Sequence, residues 1–188
     1  MPERDFSIDS LTIFLRETVR KIIDWVGQYL TSRAVNVEDL RKSSKILLPA
    51  PIFGYLDGAA DDELSKTRNN SDFTRYELLP KFLVDVTSID TSVTAMGANL
   101  DFPLICSPTG MSRLFHEKGE LAVASACEKA GILYSLSTLS TYSIEEVTEV
   151  SAGPKWFQIY VFKDRSLISE FMERCRESGF IGLTLTID

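Results

Sequence analysis

The sequence predicts an α/β fold, in which a parallel sheet follows an N-terminal helical extension. After residue 100, apolar runs of strand length alternate with helical patterns at a spacing of roughly 25 residues. These runs are continuously apolar, which is typical of strands buried on both faces of a parallel sheet. Before residue 50, apolar residues recur instead at helical spacing.

The extension predicts two helices. Residues 10–30 form an amphipathic pattern, whose charged positions exclude a membrane span. This helix could pack on its own domain or on a partner subunit, or lie in a membrane interface. A second helix begins after Asn36, which can cap it together with Asp39, and Pro49 and Pro51 close the segment.

Four strand–helix units follow. We expect helices at Lys118–Ala130 and Ile144–Val150, and one capped by Asp164 that runs to about Ser178. This pattern leaves two architectures, an open doubly wound sheet and a (β/α)8 barrel. The first turn, Ser107–Ser112, is not the G-x-G-x-x-G turn usual in an open sheet that binds a dinucleotide, and no Walker A motif is present. The predicted strands are Phe102–Ser107, Ile132–Ser137, Trp156–Val161 and Phe180–Ile187.

Polar residues mark the ends of these strands, where the active site of a barrel forms. Hydroxyl and amide groups recur there instead of the apolar side chains that would suit a sealed core. Together they indicate a ring of hydrogen-bonding groups around a planar, polar ligand, such as a flavin or a sugar-like substrate. The groups are Pro108–Gly110, Ser137 with Thr138, Gln158 with Tyr160, and Thr184 with Thr186.

Composition and charge argue against several classes of function and site. The chain has 188 residues and a net charge of −7, which argues against a nucleic-acid surface. Its three cysteines form no C-x-x-C pair and no signal peptide begins the chain, so we expect a reducing, cytoplasmic environment and no disulfide framework. The segment after His116 is not an H-E-x-x-H motif, and no metal site is predicted.

Four ordered motifs resemble one family, the FMN-dependent 2-hydroxy-acid oxidases and dehydrogenases, which include glycolate oxidase, cytochrome-linked L-lactate dehydrogenase and mandelate dehydrogenase. The resemblance runs from about Pro51 to Asp188 and implies a (β/α)8 TIM barrel, of which this chain carries about the first four strand–helix units. The motifs are Phe53–Glu63, the turn Ser107–Gly110, Leu136–Thr141 followed by Ile144–Val147, and Trp156–Asp164.

The resemblance also implies how FMN is held. Pro108, Thr109 and Gly110 match the turn whose backbone lies against the flavin near its reactive nitrogen. Ser137 and Thr186 match flavin contacts. Gln158 matches the glutamine that binds the pyrimidine edge of the ring, where one amide supplies both a donor and an acceptor.

Substrate contacts follow from the same resemblance. Tyr55 and Tyr160 match the two tyrosines that bond the 2-hydroxy acid, and Tyr160 is the catalytic candidate of this chain. Asp188 matches an aspartate beside that second tyrosine. In the family a late histidine removes the hydroxyl proton while the Cα hydrogen passes to the flavin, giving a 2-oxo acid.

That base has no counterpart here, because His116 is the only histidine and follows the first strand. Only 88 residues follow position 100, whereas a complete barrel takes about 250. We therefore expect a truncated or split protein that is inactive alone. Residues 1–48 would form the helical extension and residues 49–188 the N-terminal half of the barrel.

Several alternatives stay open. The electron acceptor could be a quinone, a cytochrome or oxygen, and Gly110 with Leu139 favours a dehydrogenase with room for a larger acid. The full-length form would be a homo-oligomer, and the N-terminal helix leaves a peripheral membrane contact open. A non-catalytic, barrel-derived interaction module is the main alternative function, and another phosphate-binding barrel enzyme is a third.

Overall fold

The computed structural model of the chain describes residues 8–187, which fall into two compact units that divide between Leu79 and Pro80. The division lies within the predicted barrel half, so the predicted boundary at residue 48 stays a prediction. The first unit contains α1 (Ile8–Ser32), α2 (Val37–Leu47), α3 (Ala50–Asp57), α4 (Leu64–Ser71) and a 3-10 turn (Asp72–Arg75).

Local capping explains where α2 begins. Asn36 has an extended backbone, and its side-chain oxygen accepts a hydrogen bond from the Asp39 amide at 2.9 Å, as the sequence predicted. The Asp39 carboxylate in turn accepts a hydrogen bond from the Val35 amide at 3.2 Å, rather than from the amide of the cap residue itself. The reciprocal pair therefore differs from a regular capping box by one residue.

One of the two prolines has another role than the predicted one. Pro49 is the N-cap of α3, and Pro51 lies in the first turn of that helix. A proline at this position costs no hydrogen bond, because the first amides of a helix have no partner within it. The prediction that Pro51 closes the preceding segment was therefore wrong: α2 ends at Leu47, and Pro51 belongs to the next helix.

The first helix confirms the predicted amphipathic segment and extends it slightly at both ends. It packs against α2, where Gly27 approaches Leu47. A second apolar surface of the helix stays open to solvent in the described residues, including Leu15, Val19 and Ile22. Among residues 8–187, no helix is both long and apolar enough to cross a lipid bilayer.

The second unit is built on a parallel sheet, which confirms the α/β class. Its strands pair in the order β3–β4–β5–β6, all parallel, with α5, α6 and α7 as the connections. An antiparallel hairpin of two short strands precedes it. The elements are β1 (Val93–Ala95), β2 (Ala98–Leu100), β3 (Ile105–Cys106), α5 (Gly119–Lys129), β4 (Leu133–Ser137), α6 (Ile144–Val150), β5 (Lys155–Ile159), α7 (Arg165–Glu177) and β6 (Gly182–Leu185).

Strand boundaries differ from prediction most in β3, which has two residues against six predicted, and in β6, which has four against eight. The strand predicted for β3 began at Phe102, but pairing with β4 starts only at Ile105. Pro103 has no amide hydrogen to donate, and the Leu104 amide turns back to the Phe102 carbonyl at 2.7 Å. The chain before Ile105 therefore cannot extend the ladder.

The two faces of the sheet bury different sets of residues. One face packs against α5, α6 and α7 through Tyr134, Leu136, Phe157 and Ile159. Strand alternation puts Ser135, Ser137, Trp156 and Gln158 on the opposite face. Near the start of the strands, β1 and β2 cover this opposite face, where Ala98 and Leu100 pack with Leu133.

The strand–helix pattern did not predict this hairpin. Its strands have three residues each, too short for a periodic signal. The turn between them places both Met96 and Gly97 at positive φ, 55° and 80°. Positive φ at both positions gives a turn whose twist matches that of the two flanking strands. Glycine is typical of such a turn, but methionine is not, so the pair Met96–Gly97 does not indicate a hairpin in the sequence.

A bidentate ion pair joins α6 to α7. Arg174 Nε and Nη2 each donate to a carboxylate oxygen of Glu145 at 2.8 Å. The hydrogen bond from Arg174 is the main cause that lowers the pKa of Glu145 to about 2. Because both side chains are a third or more exposed, the pair should contribute no more than about 1 kcal/mol.

We predict that Glu145→Gln lowers the melting temperature at pH 7 and has less effect as the pH falls. The pKa of this carboxyl is lower in the folded chain, so its contribution is complete above the unfolded value near 4.5 and disappears as the pH approaches 2. Thermal melts of both proteins between pH 7 and pH 2.5 measure this. Glu149→Gln, on the same helix, is the control, and a difference that grows in acid would contradict the prediction.

Candidate cofactor-binding site

The side chain of Gln158 connects three neighbouring strands at their carboxyl ends. Parallel pairing sets Gln158 opposite Ser137 on β4 and Thr184 on β6. Its Oε1 accepts from the Ser137 hydroxyl at 3.2 Å and from the Thr138 amide at 3.1 Å. Its Nε2 donates to the Thr186 hydroxyl at 2.6 Å. Three predicted cofactor residues, Ser137, Gln158 and Thr186, therefore meet directly.

Because Gln158 is buried, its hydrogen bonds fix the orientation of its side-chain amide. Gln158 is 4% exposed and Ser137 is 5% exposed. An amide buried without partners would cost about 1–3 kcal/mol, so the hydrogen bonds determine which way the side chain faces. Two donors on one side fix Oε1 towards β4, which turns Nε2 towards β6. A primary amide nitrogen carries two hydrogens, and the described residues accept one of them.

The loop after β4 is held by the same cluster. The Ser137 hydroxyl accepts from the Leu139 amide at 3.1 Å while it donates to Gln158. The Thr138 hydroxyl donates to the Gln158 carbonyl. The strand-end hydroxyls therefore bind backbone groups as well as the Gln158 side chain, which orders the loop after β4.

The predicted turn after β3 lies against this loop. The Met111 amide donates to the Leu139 carbonyl at 2.9 Å. A methyl group built on Gly110 would stand 2.9 Å from Leu139 Cβ and 3.3 Å from its carbonyl oxygen. Pro108 and Gly110 are half-buried and Thr109 is exposed. Gly110 is thus a site of close backbone approach, which only glycine permits without movement.

A buried carboxylate, Glu120, links the two loops. It is fully buried at the start of α5. Burial alone would raise its pKa, but hydrogen bonds from Thr141 and Ser112 outweigh that effect and lower it. Glu120 was not among the predicted site residues, because a glutamate in the first turn of a helix is ordinary and its partner Thr141 lies 21 residues away in sequence.

The remaining predicted residues are Tyr160, Tyr55, Asp188 and His116. Tyr160 follows β5 directly and is half-buried. Tyr55 lies on α3 in the first unit and is 62% exposed, so its predicted role in the site stays a prediction. Asp188 lies outside the described residues. His116 follows a 3-10 turn (Ser112–Leu114), and its Nδ1 accepts from the Lys118 amide at 3.1 Å.

A buried amide flanked by hydroxyls, at the carboxyl end of a parallel α/β sheet, is typical of enzymes that bind a polar organic cofactor. Comparison with known proteins specifies the class. A family model for FMN-dependent dehydrogenases matches residues 44–188. The chain belongs to this family.

Individual relatives agree. Glycolate oxidase 3 of Arabidopsis thaliana is 37% identical over 153 residues, which cover 81% of this chain and 42% of the relative. A structure of mandelate oxidase with 3,3-difluoro-2-hydroxy-3-phenylpropionic acid matches with a TM-score of 0.76 at 34% identity, over 82% of this chain and 46% of that one. A structure of an oxidised active mutant of (S)-mandelate dehydrogenase matches with a TM-score of 0.76 at 37% identity, over 81% of this chain and 43% of that one.

Family membership indicates FMN as the cofactor. The groups at the strand ends fit its ring chemically. The ring presents carbonyl oxygens and ring nitrogens along one edge, and Gln158 Nε2 with the hydroxyls of Ser137 and Thr186 supplies donors and acceptors of matching type. The residues present are therefore suited to hold this group.

We predict that Gly110→Ala weakens FMN binding by about tenfold, equivalent to about 1.4 kcal/mol. The added methyl group meets Leu139 Cβ and carbonyl, so the turn must move away from its position beside the site. Fluorescence titration of FMN measures the change. Gly27→Ala is the control because its methyl group meets only Leu47 Cδ1 at 3.7 Å, and equal affinities for the two variants would contradict the prediction.

Proposed function

We propose that this chain supplies the flavin-ring contacts of an oxidoreductase that converts small, lactate-like 2-hydroxy acids into 2-oxo acids with FMN. The single observation that supports the proposal most is the Gln158 amide, buried and oriented between Ser137 and Thr186. Relatives named glycolate oxidase and mandelate oxidase support the substrate class.

The chain spans about 42% of the length of the curated relatives it matches. We propose that β3 to β6 are the first four strands of a (β/α)8 barrel. Two features support this: the strands are all parallel with helical connections, and the polar strand ends share one edge of the sheet. The opposite strand ends are covered by the β1–β2 hairpin, as the floor of a barrel requires.

When bound, FMN would supply the redox chemistry by accepting the Cα hydrogen of the substrate together with two electrons. Gln158, Ser137 and Thr186 would hold its ring edge, and the Pro108–Gly110 turn would lie against it. The fixed amide orientation means that little side-chain freedom is lost on binding, which favours affinity.

Substrate binding falls to tyrosines in this proposal. Tyr160, directly after β5, would donate its hydroxyl hydrogen to an oxygen of the 2-hydroxy acid, and Tyr55 would contribute a second such bond. The base that takes the hydroxyl proton would come from outside this chain, because the Nδ1 of His116 is engaged with the Lys118 amide in a loop. We therefore propose that the chain alone binds FMN weakly and does not turn over.

The electron acceptor would be a quinone or a cytochrome, with oxygen as the alternative. Gly110 adds no side chain to the turn that would lie against the flavin, and Leu139 is half exposed, which leaves room for a larger acid or acceptor. In this proposal the whole protein acts as a cytoplasmic homo-oligomer, with a peripheral membrane contact through α1. A (S)-mandelate dehydrogenase among the similar structures is compatible with this acceptor class.

One observation favours a second candidate, a non-catalytic interaction module. The face of α1 that includes Leu15, Val19 and Ile22 is more than half exposed, which is unusual for large apolar side chains in one row. A module of this kind would use α1 to recruit a partner and would not need the Gln158 cluster to bind FMN.

Titration of the purified chain with FMN separates the two candidates. We expect saturable quenching of flavin fluorescence, and Gln158→Ala should raise Kd by about tenfold or more because at least one buried hydrogen bond to the ring is lost. The chain has only one other glutamine, Gln28 on α1, so Gln28→Ala is the matched control. Absence of saturable binding, or equal losses in both variants, would support the interaction module.

Addition of lactate to the FMN-loaded chain tests the proposal about the base. The flavin absorbance should persist under anaerobic conditions, because no group in this chain would take the hydroxyl proton. Rapid bleaching with stoichiometric flavin would show that the base lies within these residues, and His116→Asn would then identify or exclude the only histidine.

A further inference from the structure

Both carboxylate oxygens of Glu120 accept hydrogen bonds from loops at the candidate site. Oε1 accepts from the Ser112 amide at 3.2 Å and from the Thr141 amide at 2.9 Å. Oε2 accepts from the Thr141 hydroxyl at 2.6 Å. One side chain thereby connects the loop after β3 to the loop after β4.

These attachment points lie close to the proposed flavin contacts. Ser112 is two residues beyond Gly110, and Thr141 is two residues beyond Leu139. Between them the loops touch directly, through the Met111 amide on the Leu139 carbonyl and through the packing of Gly110 on Leu139. A displacement of Glu120 would therefore shift the Pro108–Gly110 turn as well.

The surroundings suit a charged residue held in place. Glu120 lies in the first turn of α5, where the helix dipole favours a negative charge. Its neighbour Gly119 has a φ of 40°, and a Cβ there would stand 2.8 Å from Arg113 Cγ and 3.4 Å from Tyr142 Cε2. The helix start is thus packed tightly between residues of the two loops that Glu120 joins.

We propose that Glu120 is a positioning residue for the cofactor: it clamps the Pro108–Gly110 turn and the Leu139 loop at the separation that the flavin ring requires. This inference rests on the proposed function for its ligand. Its geometric part, the clamp, can be measured without FMN. A residue that merely stabilised the fold would affect the melting temperature but neither the two loops in particular nor the flavin environment.

Four variants distinguish these roles. Glu120→Ala removes all three bonds. Glu120→Gln keeps the shape, since its oxygen can accept both amides while its NH2 donates to the Thr141 hydroxyl. Thr141→Val removes only the hydrogen bond from the Thr141 hydroxyl, and it replaces Glu120→Ala in the test if that variant does not fold. Val147→Ala, on the buried side of α6, is the control for a general loss of stability.

The first measurement is amide hydrogen exchange of the FMN-free chain. Glu120→Ala, or Thr141→Val in its place, should accelerate exchange by about tenfold or more at Met111, Ser112 and Thr141 relative to the rest of the sheet. Glu120→Gln should restore most of the protection. If Val147→Ala changes these amides as much as the clamp variants do, the clamp is disproved whether or not FMN binds.

The second measurement is FMN titration with the visible absorption and circular dichroism spectra of the bound flavin. Glu120→Ala or Thr141→Val should raise Kd and alter the spectrum, Glu120→Gln less so, and Val147→Ala should change neither. Wild-type binding with no effect of the clamp variants overturns the positioning role. Lack of binding in wild type and Val147→Ala alike would instead contradict the proposed function, and the exchange data would still decide the clamp.

Discussion

The site depends on one constraint, the in-register parallel pairing of β4, β5 and β6. Because side chains alternate across a strand, this register brings Ser137 and Gln158 to the same face, one strand apart. Thr186 follows on the next strand, where its amide continues the ladder to the Ile159 carbonyl at 3.2 Å. A shift of one residue in any strand would turn one of these side chains into the apolar core.

The opposite face of the same strands maintains that register. Leu136, Phe157 and Ile159 are at most 5% exposed and pack beneath α5, α6 and α7. Moving them to the polar face would expose large apolar side chains and bury amides and hydroxyls without partners, both of which are costly. Packing on one face of the sheet therefore fixes the hydrogen-bonding geometry on the other. At the carboxyl ends of the strands, Glu120 joins the loops after β3 and β4.

Much of this could be predicted from local sequence signals. The caps of Asn36 and Asp164 and the capping box of Ser143 with Glu146 are short-range interactions, and α6 begins and ends where its pattern indicated. Ser137, Gln158 and Thr186 could be identified because each is a polar residue near the carboxyl end of a predicted strand. In the structure these three residues are hydrogen-bonded to one another, and their contact with FMN stays a prediction.

Other features depend on contacts that single-sequence reasoning cannot see. The β1–β2 hairpin is stabilised by Leu133 and Trp156, more than thirty residues away in sequence. Glu120 resembles an ordinary surface glutamate until Thr141 folds over it. Lys155 is similar: it is buried, and its ammonium donates to the carbonyls of Ser151 and Gly153.

Nuclear magnetic resonance of the two glutamine side-chain amides during addition of FMN tests directly whether Gln158 holds the cofactor. We expect the Gln158 amide resonances to shift and their hydrogens to exchange more slowly, while those of Gln28 stay unchanged. Binding of FMN with no change at Gln158, or with equal changes at both glutamines, would contradict the claim that this amide holds the cofactor.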